Sequence, residues 1–138
     1  SGLPKGIIVN LHGTNLEVAC LDCGHTVLSE DVFDRLDLEQ GVPLCPECNG
    51  FFKPNTISFG QQLRGEDLSR ANDLAVSCDL MIVVGSTLVV QPASSIPSIA
   101  KEKGALLSII TLSETPLDSY ADFVFHLKVE DFITLFQS

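Results

Sequence analysis

Two copies of one short motif constrain this chain more than anything else in it. They are Cys20-Leu21-Asp22-Cys23 and Cys45-Pro46-Glu47-Cys48, separated by the 21 residues 24–44. Two CxxC turns at such a separation can bring four sulfurs to the corners of one tetrahedron, the geometry of a closed zinc site. Gly24 follows the first pair and Asn49-Gly50 the second. Turns of this kind aim backbone N–H groups at the sulfurs and favour the thiolate. With all four positions taken by Cys20, Cys23, Cys45 and Cys48, no position stays open for water or substrate, so the metal's role is structural. Two disulfides would need an oxidising compartment, and no secretory leader is seen. A thioredoxin-type motif uses one pair at a strand-to-helix turn, not two matched pairs. Iron remains open as the chemical rival, because four sulfurs suit either metal. The spacing favours Zn2+.

Composition sets the outer bounds. At 138 residues, 45% hydrophobic and mean hydropathy +0.29, the chain holds one domain's worth of core without disulfides. No apolar run reaches membrane-spanning length. Eight Lys and Arg stand against 18 Asp and Glu, a net charge of −10. That balance repels phosphate backbones and argues against nucleic acid. It accepts a cationic partner such as a lysine-rich segment, and it also serves solubility alone. Five cysteines, four of them in a metal pattern, fit a reducing cytoplasm. Cys78, at the edge of an apolar run, reads as an inert core thiol.

Along the chain, Ile7-Ile8-Val9 predicts a strand that meets a turn at His12-Gly13. Residues 16–53 are the cysteine module. Within it, 29–38 reads as acidic and irregular, with Val32, Phe33 and Leu36 for packing, and Leu44 and Phe51-Phe52 are expected to cover the metal. Ile57-Ser58-Phe59 predicts a short extended piece closed by Gly60. Then the grammar becomes α/β. Residues 66–77 carry Leu68, Ala71, Leu74 and Ala75 at helical spacing. Residues 79–84 (DLMIVV) read as a strand buried on both faces. Residues 92–103 suit a helix that stops at Gly104, with Pro97 forcing a kink or a later start. A second strand is predicted over 105–110, a third over 122–125 and a closing helix over 130–136. Strands alternating with helices imply a parallel sheet. The fold class is therefore α/β: a partial Rossmann-like parallel sheet, residues 1–15 and 54–138, with a four-cysteine zinc-ribbon insertion, residues 16–53.

In an open parallel sheet, ligands bind at the carboxyl ends of strands. Gly85-Ser86-Thr87 leaves such an end. Glycine there allows close backbone approach, and two hydroxyls can bond ribose or phosphate oxygens. A GxGxxG fingerprint is absent. His12 stands between an apolar run and Gly13, where a lone histidine is more often structural than catalytic. His25 beside the first knuckle has no catalytic role, and His126 reads as a surface residue ending a strand.

Taken in order, these pieces resemble the sirtuin family of NAD-dependent protein deacylases, its bacterial and archaeal members above all. The resemblance is carried by Leu11-His12-Gly13-Thr14, the two CxxC pairs, Lys53-Pro54 with residues 57–61, Cys78-Asp79-Leu80, residues 83–93, and Thr115-Pro116-Leu117-Asp118 with Ala121-Asp122. It implies an acyl-lysine protein substrate and NAD+ as co-substrate. The acyl oxygen attacks the anomeric carbon of the nicotinamide ribose, nicotinamide leaves, and the acyl group ends on ADP-ribose. His12 matches the histidine that takes a proton from a ribose hydroxyl, a task that suits an imidazole. Gly85, Ser86 and Thr87 match the loop at the adenosine end of NAD, and Val129 sits near the last adenine contact. Ile57, Ser58, Phe59, Gly60 and Gln61 match the segment that pairs with the substrate backbone as an added strand.

Departures are informative too. The family's GAGxS loop and TQNxD segment precede the histidine, and neither occurs in these 138 residues. Those parts would supply the first strands, the pyrophosphate cradle and the nicotinamide pocket, so this chain alone is expected to be inactive. A ribose-binding Asn of the family appears as Thr111, which cannot mimic an amide. Gln61 replaces a common Glu. The alternative is a non-catalytic zinc-stapled scaffold or regulatory partner. A truncated sheet would leave an apolar edge or face bare, which implies self-association or a partner chain that completes it.

Overall fold

The computed structural model describes residues 3–34 and 41–135. Two compact units divide the chain, Ser1–Arg64 and Gly65–Ser138.

In the first unit, Lys5–Ile7 form one 3-10 turn, closed by the Ile7 N–H on the Pro4 carbonyl at 3.1 Å. The strand predicted over 7–9 is not there. A strand needs a hydrogen-bonding neighbour, and no strand pairs with these residues among the described ones. The first strand is β1, Gly13–Cys20, flanked antiparallel by β2, Thr26–Leu28, and β3, Phe52–Thr56. Pro54 is tolerated because β3 lies at the edge of the sheet. Val18 and Cys20 are the inward residues of β1. Against β3, Gly13 faces Thr56 and Val18 faces Pro54, so residues 14–17 bulge opposite Asn55 alone.

The stretch expected to be irregular begins with a short helix, α1, Ser29–Phe33. Glu30 and Asp31 in its first turn suit the positive end of a helix. So short a helix turns one apolar side chain inward: Val32 is buried, whereas Phe33 is exposed, against expectation. Leu36 lies outside the described residues. The Ser29 hydroxyl donates to the Asn15 carbonyl at 2.5 Å and ties α1 to the bulge.

The second unit contains α2, Gly65–Ser77; β4, Leu80–Val84; α3, Ile96–Glu102; β5, Leu106–Thr111; β6, Phe123–His126; and α4, Val129–Leu135. Ala71 and Ala75, one turn apart, are the buried face of α2, while Leu74, expected in the same stripe, is exposed. Pro97 sits in the first turn of α3, where its missing N–H is harmless, so the later start holds. The three strands are parallel in the order β4-β5-β6. One face of the sheet carries Val83, Leu107 and Ile109, packed with Leu88, Met81, Leu117 and Ala121.

The other face departs from expectation. Leu80, Ile82 and Val84 of β4, with Leu106 and Phe123 beside them, remain roughly half exposed. β4 is thus buried on one side only. What lies on the second face is α4, whose Phe132 ring meets Phe125 at 5.4 Å. At the opposite end of the strands, Lys101 of α3 pairs with both carboxylate oxygens of Asp122, at 2.6 and 2.7 Å. Asp122 also accepts the Leu107 N–H at 2.8 Å, so one carboxylate joins α3, β5 and the start of β6. Among the described residues, no helix is long and apolar enough to cross a membrane.

Candidate functional site

The two knuckles fold as copies of each other. In each, the first cysteine's carbonyl accepts an N–H from four residues on, Gly24 at 3.0 Å and Asn49 at 2.8 Å. In each, the first cysteine's own N–H donates across the turn, Cys20 to His25 at 2.8 Å and Cys45 to Gly50 at 2.9 Å. Gly24 and Asn49 both take a left-handed backbone, φ 74° and 61°, which glycine and asparagine tolerate best. The result sets all four sulfurs within 4.8 Å of one another. Cys20 and Cys48 stand 3.4 Å apart, and Cys23 and Cys45 3.7 Å. All five cysteines are free, which removes the disulfide reading. Four sulfurs about 2.3 Å from one ion lie about 3.8 Å apart at tetrahedral corners. The donor set and its spacing therefore fit a structural Zn2+.

Of the residues expected to cover the metal, Phe52 is half-buried, while Leu44 and Phe51 open outward. The latter two pair with each other across a single bridge, and both are exposed. The close cover is Gly50: a Cβ there would stand 2.8 Å from the Cys20 sulfur and 2.3 Å from an Asp22 carboxylate oxygen. The thiols differ sharply. The Cys23 N–H, with smaller help from Asp22 and the other thiols, draws Cys20 down to about 7. At Cys48 the Gly50 N–H favours the thiolate, but crowding by Cys23 and Cys20 with burial overrides it and pushes the group up to about 12. Cys23 is raised as well: the His25 N–H favours its thiolate, but partial loss of water at this exposed residue, with crowding by Cys20 and Cys45, outweighs that help. A cation is what lets such a crowd of sulfurs ionise together.

His12 occupies an exposed turn that precedes β1, closed by the Gly13 N–H on Asn10 at 2.8 Å. Its carbonyl accepts the Ile57 N–H at 2.9 Å. The extended piece predicted over 57–59 ends there. Instead the Gln61 N–H returns to the Ser58 carbonyl at 3.0 Å, and the Gln61 side-chain oxygen accepts the Ser58 N–H at 2.7 Å. With Gly60 at φ 85° this makes a turn that holds Phe59 almost wholly in solvent. So His12 and residues 57–61 come together.

In the second unit, Gly85 leaves β4 with φ 64° and donates its N–H to the Ile110 carbonyl at 2.9 Å. A Cβ on Gly85 would stand 3.8 Å from a Val129 methyl, so these two candidate residues also meet. The Ser86 hydroxyl accepts the Leu88 N–H at 3.2 Å, and Thr87 is exposed. Thr111 ends β5 and is buried, opposite His126 in the parallel register. His126 is more than a surface residue: it pairs with Asp118 at 3.0 Å. The Thr115 hydroxyl, with the Thr115 N–H and His126, holds Asp118 below the usual carboxylate range. Sequence reading missed this pair and the polar group of Glu17, Asn55 and Arg64. Their partners are brought together only by folding.

Comparison with known proteins agrees with this arrangement. Residues 2–92 match the Sir2 family. The NAD-dependent protein deacetylase of Thermotoga maritima is 38% identical over 125 residues, 91% of this chain and 50% of that protein. NAD-dependent protein deacetylase 1 of Bradyrhizobium diazoefficiens is 41% identical over 124 residues, 90% of this chain and 48% of that protein. A structure of Sir2Tm bound to a propionylated peptide superposes with a TM-score of 0.83 at 38% identity, covering 92% of this chain and 53% of that one. A Sir2, p53 peptide and NAD+ structure gives 0.82 at 38% identity, covering 92% and 52%. The chain spans about half the length of the curated relatives it matches. With the family matched through more than half of its residues, and with both knuckles and the fold in agreement, this chain belongs to the Sir2 family.

Proposed function

We propose that these residues carry part of the catalytic domain of an NAD-dependent protein-lysine deacylase. The observation that supports this best is the 2.9 Å hydrogen bond from the Ile57 N–H to the His12 carbonyl. It sets the base expected from the sequence beside the segment expected to hold peptide. In this reading His12 takes the proton from a ribose hydroxyl, and Ile57, Ser58, Phe59, Gly60 and Gln61 receive the acyl-lysine peptide. The relatives solved with propionylated and acetylated peptides favour such a substrate here. As co-substrate, NAD+ supplies the ribose carbon that accepts the acyl oxygen. Gly85, Ser86, Thr87, Thr111 and Val129 are the candidates for its adenosine end, where Gly85 keeps side-chain atoms out of the space before Val129. Cys20, Cys23, Cys45 and Cys48 hold zinc and do no chemistry. Residues 16–53 are the zinc module in this reading, and 1–15 with 54–138 the nucleotide layer. Its free thiols suit a reducing cytoplasm.

The bare face of the second unit's sheet supports one partner, the portion of the family domain that these 138 residues do not include, whether supplied in the same chain or in trans. The test is NAD-dependent nicotinamide release from an acetyl-lysine peptide. The 138-residue chain alone gives no turnover, because orientation of NAD needs a complete cradle. Supplying the remaining portion restores turnover, and His12→Ala then abolishes it with zinc still bound. Turnover by the chain alone, or an active His12→Ala enzyme, overturns the assignment. Zinc-loaded, correctly folded material that stays inactive with the remaining portion present favours the non-catalytic scaffold.

A further inference from the structure

Asn55 meets the bulge of β1 twice. Its backbone carbonyl lies against Gly13: a Cβ on that glycine would stand 2.1 Å from the Asn55 oxygen. Its side chain reaches the other end of the bulge, donating Nδ2–H to Glu17 Oε2 at 3.2 Å. From the far side the Arg64 guanidinium donates to Asn55 Oδ1. The chemistry of these partners fixes the amide's orientation. A guanidinium only donates and a carboxylate only accepts, so the position needs one acceptor and one donor on a short stem. Asparagine is the side chain that supplies both at that length. An aspartate would set carboxylate against carboxylate at Glu17, and an alanine would leave Glu17 and Arg64 without this link.

The residue so held stands two before Ile57, whose N–H bonds His12, and one before Thr56, which faces Gly13, the residue that follows His12. We infer that Asn55, clamped between Glu17 and Arg64, is a positioning residue that fixes the direction of His12 through the two ends of the bulge. The inference rests on the proposed role of His12 for its catalytic meaning, though not for its geometry.

Two measurements test it. In the 138-residue protein loaded with zinc, the His12 ring resonances are followed by NMR, with His25 and His126 as internal references. Asn55→Asp is expected to shift the His12 signals and leave the other two in place. The double exchange Glu17→Gln with Asn55→Asp lets the amide at 17 donate to the carboxylate at 55, and it is expected to bring His12 back. Unmoved His12 signals in Asn55→Asp, or no recovery in the double variant, overturn the inference whatever the activity. In enzyme completed with the remaining portion, Asn55→Asp is expected to lower deacylation by roughly tenfold or more while retaining nicotinamide–NAD exchange, which precedes the base-dependent step. Equal loss of both overturns a positioning role. A completed wild-type enzyme that shows neither reaction counts against the proposed function and leaves the NMR result to decide the placement.

Discussion

Gly13 shows how much one missing side chain accomplishes. Its φ of 74° is open to glycine at little cost, and its Cα lies where the Asn55 carbonyl leaves no room for a Cβ. Gly13→Ala therefore combines backbone strain with a backbone clash. It should lower stability by about 2 kcal/mol or more in urea unfolding, with the first unit's signals losing protection first. Gly50 is held to glycine for a different reason, the Cys20 sulfur and Asp22 carboxylate packed on its Cα. Residues of this kind are only half legible in a sequence. Gly13 is flagged by its place after His12, and Gly50 by the knuckle. Asn55 carries no local flag, because Glu17 is 38 residues away in the chain and Arg64 nine.

The elements sort by whether their signal is local. The knuckles, α2 and α3 depend on spacing within a dozen residues, and all form where the pattern places them. β4 and β5 also form: each is an apolar β-type run with a Gly at one end, and each finds the other as a parallel neighbour. Residues 7–9 have the same kind of run and make no strand, because pairing is a relation and no strand lies beside them among the described residues. Exposure is relational as well: the composition of β4 reads as buried on both faces, yet only one face is covered. Among the contacts between elements, the carboxylate of Asp122 ties α3, β5 and β6 together. Lys101, with the Leu107 N–H, holds its pKa below the usual range, and Thr115 does the same for Asp118. Because the native values lie below the unfolded ones, their stabilisation is complete above the ordinary carboxylate pKa and is lost as pH falls through the lowered values. Thermal melts between pH 6 and 3 should fall steeply toward acid for the wild type. Asp122→Asn should melt lower at pH 6 and show a shallower fall, with the gap between the two curves narrowing once pH drops below the ordinary carboxylate range. Parallel curves would deny Asp122 this role.

For the whole molecule, metal and surface matter most. Zinc loading must displace protons, above all from Cys48, which is pushed up to about 12 without a cation. Loading at pH 7 should release protons into weak buffer, and apparent affinity should weaken steadily as the medium is acidified. A chelator should unravel the β2-β1-β3 sheet around the knuckles, read from its amide signals, and Cys45→Ser should do the same without chelator. The bare sheet face, Leu80, Ile82, Val84, Leu106 and Phe123, is a surface that isolated domains seldom leave in water. Light scattering should find the 138-residue chain associated with itself, and adding the remaining portion of the family domain should convert it to a defined complex. A monodisperse monomer with no affinity for that portion would contradict the assigned partner.

The twin knuckles differ in one respect that their shared hydrogen bonding conceals. Cys20 and Cys45 are buried, whereas Cys23 and Cys48 reach solvent. Oxidants, competing metals and chelators should therefore meet the second cysteine of each pair first. Release of the ion should begin as a hinge opening at those two residues, with the two inner sulfurs letting go last.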